Sequence, residues 1–165
     1  MGVEIERKFL VKPQEWNILS KPEGVLIKQG YLLIESSKTV RVRIKGTMGY
    51  ITIKGESRAI SRDEFEYKIP VADAEELIQN FCGNVISKVR YKILFAGNLW
   101  EVDVFNGDNE GLVIAEIELK SEEQEFEIPD WVGKEVSTDT RFYNANLSVN
   151  PYRKWNPLQK KGIHT

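Results

Sequence analysis

The stretch Glu4-Ile5-Glu6 sets two acids on either side of one apolar residue, and the pattern returns at Glu64-Phe65-Glu66, Glu101-Val102-Asp103 and Glu116-Ile117-Glu118. In a strand, side chains at i and i+2 leave the same face, so each pair projects two like charges in one direction. Such rows repel unless a cation sits between them. Basic stretches with the same alternation, Arg41-Val42-Arg43-Ile44-Lys45, Thr52-Ile53-Lys54 and Lys88-Val89-Arg90-Tyr91-Lys92, are interleaved with the acidic ones. A surface of opposed acidic and basic rows is what binding a polyanion together with a divalent metal requires.

Beyond these rows, period-2 alternation rich in Val, Ile, Phe and Tyr recurs over residues 3–11, 26–35, 39–46, 49–56, 62–70, 85–97, 98–107 and 111–120. That many strands in one small domain predict an antiparallel barrel or sandwich. Gly46-Thr47-Met48-Gly49 and Gly97-Asn98 read as hairpin turns, the second with Gly and Asn available for positive φ. Helix is predicted over Asp73–Cys82, where Asp73 and Glu76 resemble a capping box and Gly83 follows as a C′ residue. Shorter helices are expected at Thr140–Leu147, capped by Asp139, and at Pro13–Asn17.

A chain of 165 residues, 41% hydrophobic and 29% charged, suits a single globular domain with its own core. The net charge of −2 argues against a long electrostatic track, so no nucleic acid partner is expected; a small anion fits the balance better. The lone Cys82 has no disulfide partner, and no run approaches the ~18 apolar residues of a membrane span. A cytoplasmic protein without membrane association is the expectation.

A solvated polar face is the ordinary reading of an alternating strand. Three observations favour charges turned inward instead. Arg is preferred over Lys at Arg41, Arg43 and Arg90, and guanidinium binds phosphate oxygens bidentately. The acids segregate onto their own strands, where a surface built for stability would mix signs. The apolar sets Val42/Ile44, Phe65/Tyr67/Ile69 and Val89/Tyr91/Ile93 are then free to pack outward, against helices and a partner subunit.

The run Glu4-Ile5-Glu6-Arg7-Lys8, an E-x-E-x-K motif, resembles the opening strand of the CYTH superfamily, also called triphosphate tunnel metalloenzymes. The resemblance continues through Gln29-Gly30-Tyr31-Leu32, Arg41-Val42-Arg43, Thr52-Ile53-Lys54-Gly55, Arg62–Tyr67, Lys88–Tyr91, Glu101–Phe105, Ala115–Leu119 and Arg141–Leu147. It implies an eight-stranded antiparallel β-barrel with a few helices (α+β), forming a tunnel with a charged interior and outer helices. Residues 1–155 would form one CYTH-like domain and 156–165 a C-terminal tail. Activities in the family include inorganic triphosphatase, thiamine triphosphatase, RNA triphosphatase and a class of adenylate cyclase, all using Mg²⁺ or Mn²⁺. The chain looks most like the short bacterial members that hydrolyse inorganic triphosphate. Its segment 31–40, Tyr-Leu-Leu-Ile-Glu-Ser-Ser-Lys-Thr-Val, lacks the aromatic-Asp-Thr-Pro type of element usual in the cyclase and thiamine triphosphatase branches.

Carried onto this chain, the resemblance implies a divalent metal on Glu4, Glu6, Glu116 and Glu118, with Asp103 and Glu101 adding from a neighbouring strand. Glu64, Glu66 and Glu101 are candidates for a second metal or for orienting water. Lys8, Arg41, Arg43, Lys54, Lys88 and Arg90 would cradle the phosphates of a small-molecule triphosphate, and Lys8, Lys54 and Lys88 are the candidate catalytic lysines. Phosphoryl transfer needs mainly positioning and electrostatic stabilisation, so no histidine base is required; the single His164 is expected to be incidental. Lys28, Lys45, Lys92 and Lys120 are placed at tunnel mouths, and Arg141 either caps the tunnel or pairs with an acid. A homodimer is expected by resemblance. The competing readings are an adenylate cyclase, a hydrolase of thiamine triphosphate or nucleotides, and a polyphosphate-binding module.

Overall fold

The computed structural model describes residues 2–163, so His164 lies outside the described residues. The elements run β1 (Gly2–Val11), α1 (Pro13–Ile18), β2 (Val25–Ile34), β3 (Lys38–Lys45), β4 (Met48–Gly55), β5 (Ser61–Ile69), α2 (Val71–Phe81), β6 (Ile86–Phe95), β7 (Asn98–Phe105), β8 (Val113–Glu118), β9 (Val132–Glu135) and α3 (Asn144–Val149). The strands pair antiparallel in the order β5-β4-β3-β2-β6-β7-β8-β1, and β1 also pairs with β5, which closes a barrel of the eight strands expected. β9 adds along the second half of β1, opposite Phe9 and Val11. Its four residues carry no alternation, which is why the sequence pattern missed it.

Three local expectations are corrected. In the β6–β7 turn the positive φ angles fall on Ala96 (47°) and Gly97 (81°), and Asn98 already begins β7. Two consecutive left-handed residues match the right-handed strand twist. Helix α2 starts at Val71 after Pro70, so Asp73 lies in its first turn and makes no cap bond. Cys82 is extended at the other end (φ −96°, ψ 151°), leaving Gly83 no capping role. The segment after Asp139 is one 3-10 turn, Thr140–Phe142, followed by α3; Asp139 does cap it, accepting from Arg141 N.

The apolar residues of β1, β7 and β8 divide by parity. Outward-facing Phe9, Val102, Ala115 and Ile117 pack with Trp16 of α1, Trp100, Trp131 and Val132. The inward row on β1 runs from Glu4 through Glu6 and Lys8 to Leu10, and Leu10 joins Ile114, Phe105, Ile86, Phe142, Leu147, Trp155 and Ile163 in a second cluster. The barrel interior is therefore charged along most of its length and apolar where the C-terminal segment packs. The stretch read as a tail contacts this cluster through buried Ile163, and Gln159 O accepts from Arg141 Nη1 at 2.9 Å.

Helix α2 covers Val42 on the outside of β3, with Ala74 seated against Gly49, where a Cβ would meet Ile69 O at 2.9 Å. It does not cover β5: Phe65 and Tyr67 stay 41% and 49% exposed beside Ile53. Among the described residues no helix is long and apolar enough to cross a membrane.

Candidate functional site

A cavity of about 700 Å³ lies within the barrel, and Glu4, Glu6, Lys8, Arg41, Arg43, Lys54, Lys88, Arg90, Glu64, Glu66, Glu101, Glu116 and Glu118 all line it. Inward parity explains the convergence. Lys8 stands opposite Glu116 and Glu6 opposite Glu118 across β1–β8, while Arg41 pairs with Thr52, and Thr52 with Glu66, across β3–β4–β5.

The cations and acids are arranged in two lobes. Arg41, Arg43, Lys88 and Arg90 form the basic lobe. Burial, then the nearby Arg41 and Arg90 charges, push Arg43 down to about 9. Burial also lowers Lys88, with Arg90 and Arg43 adding to it against the attraction of Asp103, to about 7. Arg90 goes the other way: burial opposes its charge, but Asp103, Glu116 and Glu101 outweigh it and raise the guanidinium further. Arg41 Nη2 donates to Thr52 Oγ1 at 3.1 Å, while Arg41 Nε is buried with no hydrogen-bond partner among the described residues. An orphaned guanidinium N–H on a residue that lines the cavity suits an anionic oxygen.

In the acidic lobe, Glu4 is held by Lys54 Nζ at 3.1 Å and Arg62 Nε at 3.0 Å. Burial works against its charge, yet these two cations keep the carboxyl well below its usual range. Glu6 and Glu118 make no ion pair or hydrogen bond among the described side chains. Burial, then Glu116 and Glu4, raise Glu6 well above the usual carboxylate range. Burial, then Glu4, Glu64 and Glu101, raise Glu118. Two cavity-lining carboxylates in cross-strand register, neither held in an ion pair, fit a hard divalent cation. No three acids among the described residues converge into a ready-made ligand set. The fit is accordingly to an ion held by one or two carboxylates plus water and phosphate, as Mg²⁺ usually is.

Asp103 departs from its expected place among the metal ligands. It is fully buried; Oδ2 accepts from Lys88 Nζ at 2.7 Å, and Arg90 Nε donates to Oδ1 at 2.7 Å. Burial opposes its charge, but Lys88 and Arg90 hold it far below the usual range. Its oxygens are committed to holding two cations. Glu116 stands between the lobes, 3.7 Å from Lys8 Nζ and 3.4 Å from Arg90 Nη2. Glu64 pairs with Lys54 at 3.1 Å, Glu66 accepts from Thr52 Oγ1 at 2.8 Å, and Glu101 pairs with Arg90 at 3.2 Å.

Of the lysines placed at the mouths, Lys45 lines the cavity, whereas Lys28 is exposed on the outward parity of β2. Lys92 and Lys120 are exposed. Arg141 takes the second of its two expected roles, pairing with Asp139 at 2.7 Å and stacking on Phe142 and Trp155.

Pattern reading missed Arg62, Gln29, Asn144 and Tyr143. Arg62 shares the inward row of Glu64 and Glu66, and that parity was its signal. Gln29 sits between inward Ile27 and Tyr31, so its row looked apolar. Asn144 and Tyr143 reach the cavity from the α3 side, with the Tyr143 ring 5.4 Å from Lys8 Nζ. No period announces that contact.

The model of the CYTH domain family matches residues 2–144. A protein of Acetivibrio thermocellus named inorganic triphosphatase is 51% identical over 156 residues, covering 94% of this chain and 99% of that one. One of Nitrosomonas europaea with the same name is 38% identical, covering 89% and 97%. Among solved structures, the inorganic triphosphatase NE1496 superposes with a TM-score of 0.62 at 36% identity, covering 88% of this chain and 94% of that one. A putative adenylate cyclase of Bacillus halodurans shares the fold at 19% identity, with a TM-score of 0.59 over 74% of this chain and 84% of that one.

Proposed function

The chain belongs to the CYTH domain family, and on that footing we propose that it hydrolyses inorganic triphosphate to diphosphate and phosphate with the aid of Mg²⁺ or Mn²⁺. The observation that carries the reading is the two-lobed cavity: Arg41 and Arg43 offer guanidinium charge on one side, and Glu6 and Glu118, cross-strand partners, stand outside any ion pair on the other. The triphosphatase names of the two relatives support the substrate.

Arg41, Arg43, Lys88 and Arg90, with Lys8 and Lys54, bind the phosphate oxygens and offset charge that would otherwise repel an incoming water. Water then attacks the terminal phosphorus, the new P–O bond forms, and the bridging P–O bond to diphosphate breaks. Lys88, a buried ammonium held by Asp103 Oδ2 and Asn144 Oδ1, directs its charge at the phosphate oxygens. Glu6 and Glu118, with Glu4 and Glu116 beside them, would hold the divalent ion, which supplies neutralisation of phosphate charge. Lys54 and Arg62 anchor Glu4. The uncovered face of Ile53, Phe65 and Tyr67 supports pairing with a second copy, which light scattering would read.

The test is phosphate release from inorganic triphosphate and from ATP, each with Mg²⁺, Mn²⁺ or chelator, with cyclic AMP assayed in parallel. Metal-dependent release favouring inorganic triphosphate is expected. Cyclic AMP formation would transfer the reading to a cyclase, and binding without turnover to a polyphosphate-binding module.

A further inference from the structure

The interior guanidinium groups differ in what they are paired with. Arg41 has Glu66 at 3.4 Å, Arg62 has Glu4 at 3.0 Å, and Arg90 has Asp103, Glu101 and Glu116. Arg43 has no carboxylate within ion-pair distance among the described residues. Its Nε donates instead to Gln29 Oε1 at 2.8 Å. Gln29 is fully buried and passes the contact on: its Nε2 donates to Asn144 Oδ1 at 3.2 Å, and the same oxygen accepts from Lys88 Nζ at 3.0 Å.

Donor and acceptor chemistry orients both amides. A guanidinium only donates, so Gln29 must turn its oxygen to Arg43 and its NH₂ to Asn144. An ammonium only donates, so Asn144 must present its oxygen to Lys88. The two cations at the ends thus specify a single arrangement for the amides between them. Asn144 is the first residue of α3 and Gln29 lies mid-β2, so the bridge ties the C-terminal helix to the barrel wall.

We propose that Gln29 and Asn144 are positioning residues, a neutral amide bridge that fixes Arg43 and Lys88 by hydrogen bonds without cancelling their charge, which is thereby kept for substrate phosphate. Carboxylates in these places would hold the cations as firmly and take part of that charge. Asp103 already divides one negative charge between Lys88 and Arg90, and a further acid beside Lys88 would remove the excess on which anion binding depends. The inference rests on the triphosphatase reading.

Asn144→Asp is the discriminating variant, because a carboxylate accepts from both Gln29 Nε2 and Lys88 Nζ and so preserves every bond of the bridge. The measurements are thermal midpoint, the dissociation constant for inorganic triphosphate by calorimetry in chelator, and kcat and KM with metal. The expected result is a midpoint equal to or above wild type, with triphosphate affinity lower by about tenfold or more. Gln29→Met, which keeps length and loses both bonds, is expected to raise KM while still giving a cooperative melt. Wild-type affinity in Asn144→Asp would overturn the role of neutrality and leave the triphosphatase reading intact. Wild-type KM in Gln29→Met would overturn positioning. A wild-type protein that neither binds nor hydrolyses triphosphate would overturn both readings together.

Discussion

Lys8 and Leu10 stand two residues apart on one inward-facing row of β1, yet they lie on opposite sides of the boundary between the charged cavity and the apolar plug. Lys8 faces Glu116 and donates to Phe142 O at 3.4 Å, whereas Leu10 faces Ile114. The boundary runs where the C-terminal segment, through Phe142 and Leu147, enters the end of the barrel. Leu10→Ala is expected to cost about 2–5 kcal/mol by urea denaturation, as buried Leu truncations do. Lys8→Met is expected to lower triphosphate turnover by about 10²-fold or more with a smaller loss of stability. Equal effects of the two variants on stability and turnover would remove the boundary.

Glu6 has the opposite problem from most buried acids, because its neighbours Glu116 and Glu4 add repulsion to the cost of burial. Its folded pKa lies above the unfolded value, so the native state binds more protons and stability falls as pH rises through the interval between the two. Glu6→Gln removes that dependence. Without metal the variant is expected to match or exceed wild-type stability at pH 7, and to lose metal-stimulated turnover. Denaturation curves from pH 5 to 8 in chelator check the first part; a variant less stable than wild type at pH 7 would show that Glu6 is not strained.

Asp103 shows the reverse linkage. Its folded pKa is depressed by Lys88 and Arg90, so its contribution is present above the unfolded value near 3.8 and is lost as pH falls through the folded value. Asp103→Asn leaves two buried cations short of their counter-charge, and a cost of about 3–5 kcal/mol at pH 7 is expected. The gap to wild type should narrow in acid below the usual carboxylate range. A gap independent of pH would contradict an ionised Asp103.

Behind the bridge, Gly30 lies against the end of α2, where an added Cβ would meet Cys82 Cβ at 2.6 Å and Sγ at 2.9 Å. Gly30→Ala must push the helix end away, so about 1–3 kcal/mol of destabilisation is expected. Because Gln29 adjoins Gly30, KM for triphosphate should rise as well. Restoring stability by Cys82→Gly, which removes the clashing Cβ, in the Gly30→Ala background would identify the contact as the cause.

Much of this architecture was legible as periodicity. The alternation of Arg41, Arg43 and Lys45, and of Glu4, Glu6 and Lys8, places the charged groups on shared faces whatever the fold. What alternation does not contain is the position of residues that arrive from elsewhere. Tyr143 and Asn144 enter the cavity from a helix with no amphipathic signal, and β9 is four residues long. Asp103 shares the parity of Glu101, yet it lies deeper along the barrel, beneath Lys88 and Arg90.

The eight barrel strands, the sets of side chains that share a face, and the segregation of acid from base all follow from local sequence, because side-chain direction in a strand has a local period of two. Which face turns inward, and which charges meet there, follow from the closed barrel. Pairings such as Arg90 with Glu116, and Gln29 with Asn144, depend on barrel closure and on where the C-terminal segment packs, and both are set by contacts between residues far apart in the chain. Whether an inward acid is neutralised by a cation, as Asp103 is, or left facing another acid, as Glu6 is, follows from that packing and not from the local pattern.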